Sequence, residues 1–130
     1  MKQLRLALAD DNPEILEMVS DLLGDEFSIV GLFADGKSVL QHNETVKPDV
    51  IILDVSLGDS NGFDVARMLR EGGSTAQILF LTVYEDEEFV KASFEAGGTA
   101  YVIKRRLRSD LIPALHAVAN HQVFISDITE

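Results

Sequence analysis

Two spacings of apolar residues alternate along the chain and predict five strands and five helices. The strand candidates are short, almost unbroken apolar runs, which are typical of strands buried on both faces of a parallel sheet. Between these runs, apolar residues recur three and four positions apart, as on the buried face of a helix. The predicted strands are 4–9, 27–33, 50–53, 77–81 and 99–103. This βα order predicts an α/β fold with a parallel sheet.

Capping and turn residues predict where the first four helices begin. Asn12 before Pro13 places an N-cap ahead of a proline in the first helical position. The pairs 35–36 and 61–62 are similar starts for the second and third helices. The acidic run 85–88 lies at the start of the fourth helix, where the helix dipole favours anions.

The last helix contains Pro113 within its apolar pattern. Because proline is tolerated only near the start of a helix, the predicted N-cap is Ser109 or Asp110. We find no internal repeat, low-complexity segment or linker before the end of this helix. We therefore interpret residues 1–121 as one domain and residues 122–130 as a C-terminal tail.

The composition is that of one acidic globular domain. The 130 residues are 46% hydrophobic and carry a net charge of −11, which argues against a nucleic-acid-binding surface. The chain has no cysteine, which excludes a disulfide framework, a zinc thiolate site and a thiol nucleophile. The first apolar run ends at Asp10, too early for a signal peptide, and no apolar segment is long enough to cross a bilayer. We expect a cytoplasmic protein that does not bind membranes.

Polar side chains follow four of the five predicted strands. Asp10 and Asp11 follow the first strand, Asp54 the third, Thr82 the fourth and Lys104 the fifth. Taken singly, each is an ordinary turn or surface residue. Because open parallel sheets bind ligands beyond the carboxyl ends of their strands, the set together indicates one site.

The residue types at these strand ends favour phosphoryl transfer. Three carboxylates in one cleft repel each other and require a cation, and an all-oxygen set favours Mg²⁺. A carboxylate in such a site can attack phosphorus and form an aspartyl phosphate, with Asp54 as the acceptor. Lys104 would hold one phosphoryl oxygen, and the Thr82 hydroxyl would donate a hydrogen bond to another.

These motifs resemble the receiver domain of bacterial two-component response regulators, from about Leu4 to about His121. The matching segments are Leu-Ala-Asp-Asp at 8–11, Pro-Asp-Val-Ile-Ile-Leu-Asp at 48–54, Leu-Thr at 81–82 and Gly-Gly-Thr-Ala-Tyr-Val-Ile-Lys at 97–104. The resemblance implies a flavodoxin-like (βα)5 three-layer sandwich. Its five-stranded parallel sheet would have the order 2-1-3-4-5.

The resemblance also implies a metal site. Asp54 would be the phosphoacceptor. Asp11 and Asp54 would bind Mg²⁺ directly, together with the backbone carbonyl of Ser56, while Asp10 would act through a water molecule.

A second set of implied roles concerns the switch. Thr82 and Lys104 would contact the phosphoryl group, and Tyr101 would be the aromatic switch residue. In the family, the hydroxyl at the Thr82 position moves toward the phosphoryl group, and the ring at the Tyr101 position turns inward behind it. The face formed by the fourth helix, fifth strand and fifth helix then changes between inactive and active conformers.

Segments 81–87 and 122–126 look most like the LuxR-type (NarL/FixJ) subfamily, which has a C-terminal helix-turn-helix output domain. The implied partners are a sensor histidine kinase and a DNA-binding domain in a longer chain, joined through the tail. This domain itself would not contact nucleic acid. It would catalyse its own phosphorylation and dephosphorylation without being a turnover enzyme, and dimerisation on phosphorylation is a further hypothesis.

The chain departs from the family pattern at two positions. Arg105 follows Lys104 where many members have a proline in a cis peptide, and Gly58 lies where many have proline in the loop after the acceptor. Neither departure removes a chemical group from the site. Ser56 and Tyr84 match positions that tune dephosphorylation in the family.

Two other functions are weighed against the switch. An aspartate-based phosphohydrolase would have a second aspartate two residues after the nucleophile, and here that residue is Ser56. A phosphorylation-independent interaction module typically loses one of the acids or the lysine, and this chain retains all of them. The module remains the alternative to the phosphoacceptor switch.

Overall fold

A computed structural model describes residues 3–58 and 60–128. Its strands are β1 (Arg5–Ala9), β2 (Ser28–Phe33), β3 (Val50–Leu53), β4 (Ser56–Leu57), β5 (Ser60–Asn61), β6 (Gln77–Thr82), β7 (Ala100–Ile103) and β8 (Phe124–Ile125). The main sheet has the order β2-β1-β3-β6-β7-β8, and all its neighbouring strands are parallel. Strands β4 and β5 form a separate small hairpin. Because β6 and β7 are the predicted fourth and fifth strands, the predicted order 2-1-3-4-5 is confirmed.

Helices cover both faces of the sheet and complete the predicted three layers. They are α1 (Pro13–Leu23), α2 (Gly36–Val46), α3 (Gly62–Glu71), α4 (Glu87–Glu95) and α5 (Leu107–Ala119). Strand residues alternate between two apolar cores. Ile51 and Leu53 face the core formed with α2, α3 and α4, whereas Val50 and Ile52 face the core formed with α1 and α5.

The predicted starts of α1, α2 and α3 are confirmed by their capping bonds, whereas α4 begins within the predicted acidic run but has no side-chain capping bond. The side chains of Asn12, Asp35 and Asn61 each accept a hydrogen bond from a backbone N–H two or three residues later, at 2.8–3.0 Å. These bonds satisfy N–H groups that have no partner within the helix. Each cap joins residues that are close in the sequence, which is why the sequence alone was enough to locate them.

The predicted start of the last helix is wrong. Helix α5 begins at Leu107, directly after a 3₁₀ turn of Lys104–Arg106, and its N-cap is Arg106 rather than Ser109 or Asp110. The Asp110 side chain is bound to other side chains, so it does not cap the helix. Pro113 therefore lies within the helix, beyond its first turn.

A sixth strand joins the sheet beyond the five that were predicted. Strand β8 pairs in parallel with β7, placing Phe124 beside Ala100 and Ile125 beside Tyr101. The pairing continues as the Ser126 N–H donates to the Tyr101 carbonyl at 2.8 Å. The edge of β7 is thus covered by the tail.

In the part of the chain that is described, no helix has the length and apolar character needed to span a membrane.

Candidate acidic phosphoryl-transfer site

Neighbouring strands place the predicted carboxylates at one edge of the sheet. Ala9 lies beside Leu53 in the β1–β3 register, so Asp10 and Asp54 leave the sheet side by side. The Asp54 N–H donates to the Ala9 carbonyl at 3.0 Å, which extends the pairing by one residue. Carboxylate oxygens of Asp10, Asp11 and Asp54 lie within 4.8 Å of one another. Asp10 and Asp54 are 3% and 5% exposed, whereas Asp11 is exposed to solvent.

Lys104 reaches into this pocket from the end of β7. Its Nζ donates to Asp54 Oδ2 at 2.9 Å and lies 2.8 Å from Asp10 Oδ2. The contact with Asp10 is an ion pair without hydrogen-bond geometry, so the buried Asp10 Oδ2 has no hydrogen-bond partner among the described residues. The other carboxylate oxygen of Asp10 accepts from the Asn12 N–H at 2.9 Å.

Burial and charge act in opposite directions on the two ends of the Lys104–Asp54 pair. Burial raises the pKa of Asp54, although the hydrogen bond and charge of Lys104 oppose that rise. Burial would lower the pKa of Lys104, but its contacts with Asp10 and Asp54 outweigh burial and raise that pKa. The lysine is therefore a firmly held cation at the point where a phosphoryl oxygen would need one.

The donor set fits a small divalent cation. Three carboxylates offer only oxygen ligands, which suits a hard ion, and the Asp10 Oδ2 atom is a buried acceptor without a hydrogen bond. Gly58 lies beside Asp11 and has a φ of +70°, a backbone conformation that L side chains rarely adopt. Glycine thus allows the turn of the loop after Asp54.

The Ser56 N–H donates to Asp54 Oδ1 at 3.2 Å, which fixes the second oxygen of the Asp54 carboxylate. This bond brings the Ser56 backbone to the pocket. That its carbonyl binds the metal remains a prediction.

Thr82 and Tyr101 are both fully buried and meet at the loop that follows β6. The Thr82 Oγ1 atom accepts from the Tyr84 N–H at 3.3 Å, and the Tyr101 hydroxyl donates to the Tyr84 carbonyl at 2.8 Å. Burial raises the pKa of Tyr101, so its hydroxyl remains a hydrogen-bond donor. The two predicted switch residues are therefore linked through one residue of this loop.

Tyr84 also contacts the segment that follows Asp54. Its hydroxyl lies 3.3 Å from Ser56 Oγ, and its ring stacks on Phe89 with centroids 4.4 Å apart. The two residues that match dephosphorylation-tuning positions are thus in contact at the mouth of the pocket.

Arg105 joins the two loops that surround the site. Its guanidinium donates to both carboxylate oxygens of Glu85, at 2.7 and 2.8 Å. The hydrogen bond from Arg105 lowers the pKa of Glu85. Every described peptide bond is trans, including the bond between Lys104 and Arg105.

Two residues near the site were missed as site residues at the level of sequence. Asp110 and Ser126 are buried and bonded to each other at 2.6 Å beside the turn that carries Lys104. The apolar, β-branched run 123–125 was a strand signal that could have located Ser126. The bond between Ser126 and Asp110 had no signal, because it depends on how the tail packs against α5.

Comparisons with known proteins agree with this geometry. The family model described as the response regulator receiver domain matches residues 6–116. The chain is 29% identical over 129 residues to the transcriptional regulatory protein YxjL of Bacillus subtilis, covering 98% of this chain and 59% of that protein. It is 28% identical over 124 residues to the nitrate/nitrite response regulator protein NarL of Escherichia coli, covering 94% and 57%. The chain thus spans less than two thirds of either relative.

Solved structures give the same result. A two-component response regulator of the LuxR family from Aurantimonas sp. superposes with a TM-score of 0.91 at 26% identity, covering 96% of this chain and 91% of that chain. The predicted resemblance to LuxR-type receiver domains is confirmed.

Proposed function

Because the chain belongs to the response regulator receiver domain family, we propose that it is the phosphoacceptor switch of a two-component system. In this proposal Asp54 receives a phosphoryl group from a sensor histidine kinase and thereby controls an output, namely transcription. The observation that carries the proposal is the pocket in which Lys104 pairs with Asp54 and Asp10 while Asp11 remains exposed. A buried acceptor, a fixed cation and a solvent-facing acid are the parts that phosphoryl transfer requires.

The chemistry is one displacement at phosphorus. The Asp54 carboxylate attacks, a P–O bond forms, and the P–N bond of the phosphohistidine breaks with its electron pair remaining on the imidazole nitrogen. Lys104 stabilises charge on one phosphoryl oxygen, and the Thr82 hydroxyl donates to another. Hydrolysis of the aspartyl phosphate would return the switch to its resting form. The group that is modified is the domain's own carboxylate, so the domain would not be a turnover enzyme on an external substrate.

The acids supply a metal site for this step. Asp11, Asp54 and the Ser56 carbonyl would bind Mg²⁺ directly, and Asp10 would act through water. When bound, the ion would offset the repulsion between the acceptor carboxylate and the incoming anion.

The contacts of the loop after β6 support a conformational response to phosphorylation. Thr82 and Tyr101 both bind the backbone of Tyr84, so drawing the Thr82 hydroxyl toward a phosphoryl group would alter the bonds that hold this loop. The face formed by α4, β7 and α5 would then shift between two conformers. Dimerisation on phosphorylation would use this same face.

The output belongs to a longer chain in this proposal. The receiver domain is predicted over residues 1–121, and strand β8 of the tail (residues 122–130) pairs with its sheet. The tail would lead toward a helix-turn-helix domain that binds DNA. The receiver domain itself would not contact nucleic acid, because a net charge of −11 repels phosphates.

Intact-mass spectrometry after incubation with acetyl phosphate and Mg²⁺ tests the proposal. We expect one added phosphoryl group in the wild type and none in Asp54→Ala or in the absence of Mg²⁺. If the wild type gave no adduct in fresh, neutral, rapidly quenched samples, the phosphorylation-independent interaction module would replace the switch.

A further inference from the structure

The turn that carries Lys104 is held at both ends by a buried pair of side chains. Before the turn, the Ile103 N–H donates to Ser126 Oγ at 3.1 Å. After Lys104, the Arg106 Nε donates to Asp110 Oδ2 at 3.0 Å. The Ser126 hydroxyl in turn donates to the same Asp110 oxygen at 2.6 Å, which joins the two ends.

Ser126 and Asp110 are 1% and 6% exposed. A buried carboxylate requires several donors, and the three side chains that donate to Asp110 belong to Ser126, Arg106 and Ser109. The Ser126 hydroxyl both donates and accepts, so its orientation is fixed by two bonds at once. Its backbone is fixed as well, because its N–H donates to the Tyr101 carbonyl.

Lys104 needs this support for two reasons. Its side chain is a flexible four-carbon stem, so its Nζ is only as well placed as the backbone at its root. The following residue is Arg105, so no proline ring restricts φ immediately after the lysine. Contacts with side chains outside the turn therefore add to the constraint that the 3₁₀ hydrogen bond from the Leu107 N–H to the Lys104 carbonyl provides.

We propose that Ser126 and Asp110 are positioning residues that set the Lys104 ammonium against Asp54 and Asp10. The proposal rests on the phosphoacceptor function proposed above and adds the C-terminal strand to the machinery of that site. The tail is then part of the phosphorylation chemistry as well as a connection out of the domain. Ser126 touches neither the acceptor nor the phosphoryl group, and acts only through Lys104.

A double-mutant cycle with Lys104 separates positioning from simple anchoring of the tail. The readout is the rate of phosphorylation by acetyl phosphate with Mg²⁺, measured for wild type, Ser126→Ala, Lys104→Ala and the double variant. Ser126→Ala removes two hydrogen bonds that reach the acceptor only through Lys104. We expect it to slow the reaction roughly three- to tenfold, an effect no larger than that of one hydrogen bond lost at the site itself. In the Lys104→Ala background, Ser126→Ala should have no further effect, because its route to the acceptor is already removed.

Two variants complete this experiment. Ser126→Thr keeps the hydroxyl and should restore most of the rate. Ser93→Ala removes another fully buried hydroxyl, bonded to the Val90 carbonyl on α4, and should leave the rate within about twofold of wild type. An equal slowing by Ser126→Ala in both lysine backgrounds would overturn the positioning role and leave a structural anchor.

If Ser126→Ala did not fold, Arg106→Met would replace it, because this half-exposed side chain holds the other end of the turn. The same cycle with Lys104→Ala then applies.

A second readout does not depend on phosphorylation. The Lys104 side-chain resonances, followed by NMR in the wild type, Ser126→Ala and Ser93→Ala, should move in Ser126→Ala and stay fixed in Ser93→Ala. A wild type that takes no phosphoryl group would defeat the proposed function, while these resonances would still decide the positioning role. Unmoved Lys104 resonances in Ser126→Ala would overturn that role whatever the phosphorylation result.

Discussion

At the scale of single residues, the site is defined by which charges the sheet forces together. Asp10, Asp54 and Lys104 each follow a different strand. The Lys104 Nζ atom lies within 3 Å of a carboxylate oxygen of Asp10 and of a carboxylate oxygen of Asp54. Their placement was predictable because strand ends in a parallel sheet share one edge. The pairing of the lysine with both acids was not, since it depends on side-chain conformation and burial.

The metal site leads to a first prediction at this scale. Millimolar Mg²⁺ should raise the melting temperature of the wild type, because an ion that binds only the folded state adds about 1.4 kcal/mol of stability at ten times its dissociation constant. Asp11→Ala should lose this response. Asp21→Ala, which removes an exposed acid from α1, should keep it. Equal responses of the wild type and Asp11→Ala in calorimetry would rule out the metal site.

Asp110 gives a prediction about pH. Burial would raise its pKa, but hydrogen bonds from Ser126, Arg106 and Ser109 outweigh burial and lower it. A carboxyl whose pKa is lower when folded stabilises the fold above its unfolded pKa, about 3.9, and this contribution is lost as the pH falls through the folded pKa. Asp110→Asn should therefore lower the free energy of unfolding by about 1–3 kcal/mol at pH 7.

The difference between wild type and Asp110→Asn should shrink steadily below pH 4, as measured by urea unfolding at several pH values. Asp64→Asn is the matched control, because that carboxylate pairs with Arg67 on the surface of α3. It should change the free energy of unfolding by less than about 0.5 kcal/mol at any pH. A difference for Asp110→Asn that stays constant down to pH 2 would contradict the role assigned to its charge.

At the scale of elements, the close approach of α3 to the end of β3 fixes the acceptor. The Gly62 N–H donates to the Val55 carbonyl at 2.7 Å. A Cβ atom at Gly62 would lie 2.1 Å from the Asp54 carbonyl oxygen, which is a clash with backbone rather than with a movable side chain. The first residue of α3 must therefore be glycine for Asp54 to keep its place.

Gly62→Ala should lower the free energy of unfolding by more than about 3 kcal/mol, because the backbone on one side must shift. Gly72→Ala is the control, because Gly72 at the C-terminus of α3 has a φ of −79° and a ψ of 1°, and the atom nearest to an added Cβ would be the Met68 carbonyl oxygen at 3.3 Å. This substitution should change the free energy of unfolding by less than about 1 kcal/mol, so chemical denaturation should separate the two variants clearly. An equal decrease in the free energy of unfolding for both variants would mean that the start of α3 can move away from the Asp54 carbonyl without cost.

The elements also show which structural features sequence could predict. Strands buried on both faces and helices with side-chain caps are set by neighbouring residues, so β3, α1 and α2 were found near their observed bounds. The start of α5 and the strand β8 were not predicted. The turn of Lys104–Arg106 leads directly into α5, whereas β8 is completed by its pairing with β7 and by the bond between Asp110 and Ser126, sixteen positions apart. The short run 123–125 carried a strand signal, but local propensity contains no information about the contacts that tertiary packing creates.

At the scale of the whole molecule, the tail completes the sheet at β7, the strand that carries the predicted switch residue Tyr101. Residues 100–103 of β7 are fully buried, and β8 covers the edge that would otherwise present free N–H and C=O groups. Ile128 packs against the core that includes Tyr101. The last described residues are therefore part of the folded unit.

Removal of the tail tests whether the domain needs β8 to cover the edge of β7. A chain ending at Gln122 should be less stable by more than about 2 kcal/mol, because it loses buried apolar contacts and several buried hydrogen bonds. It should also self-associate with increasing concentration in sedimentation velocity, since an apolar strand edge pairs readily with another chain. A chain ending at Ile128 keeps β8 and should behave like the wild type. If the chain ending at Gln122 remained monomeric and equally stable, the edge of β7 would not need β8, and the tail could leave the domain without disturbing the strand that holds Tyr101.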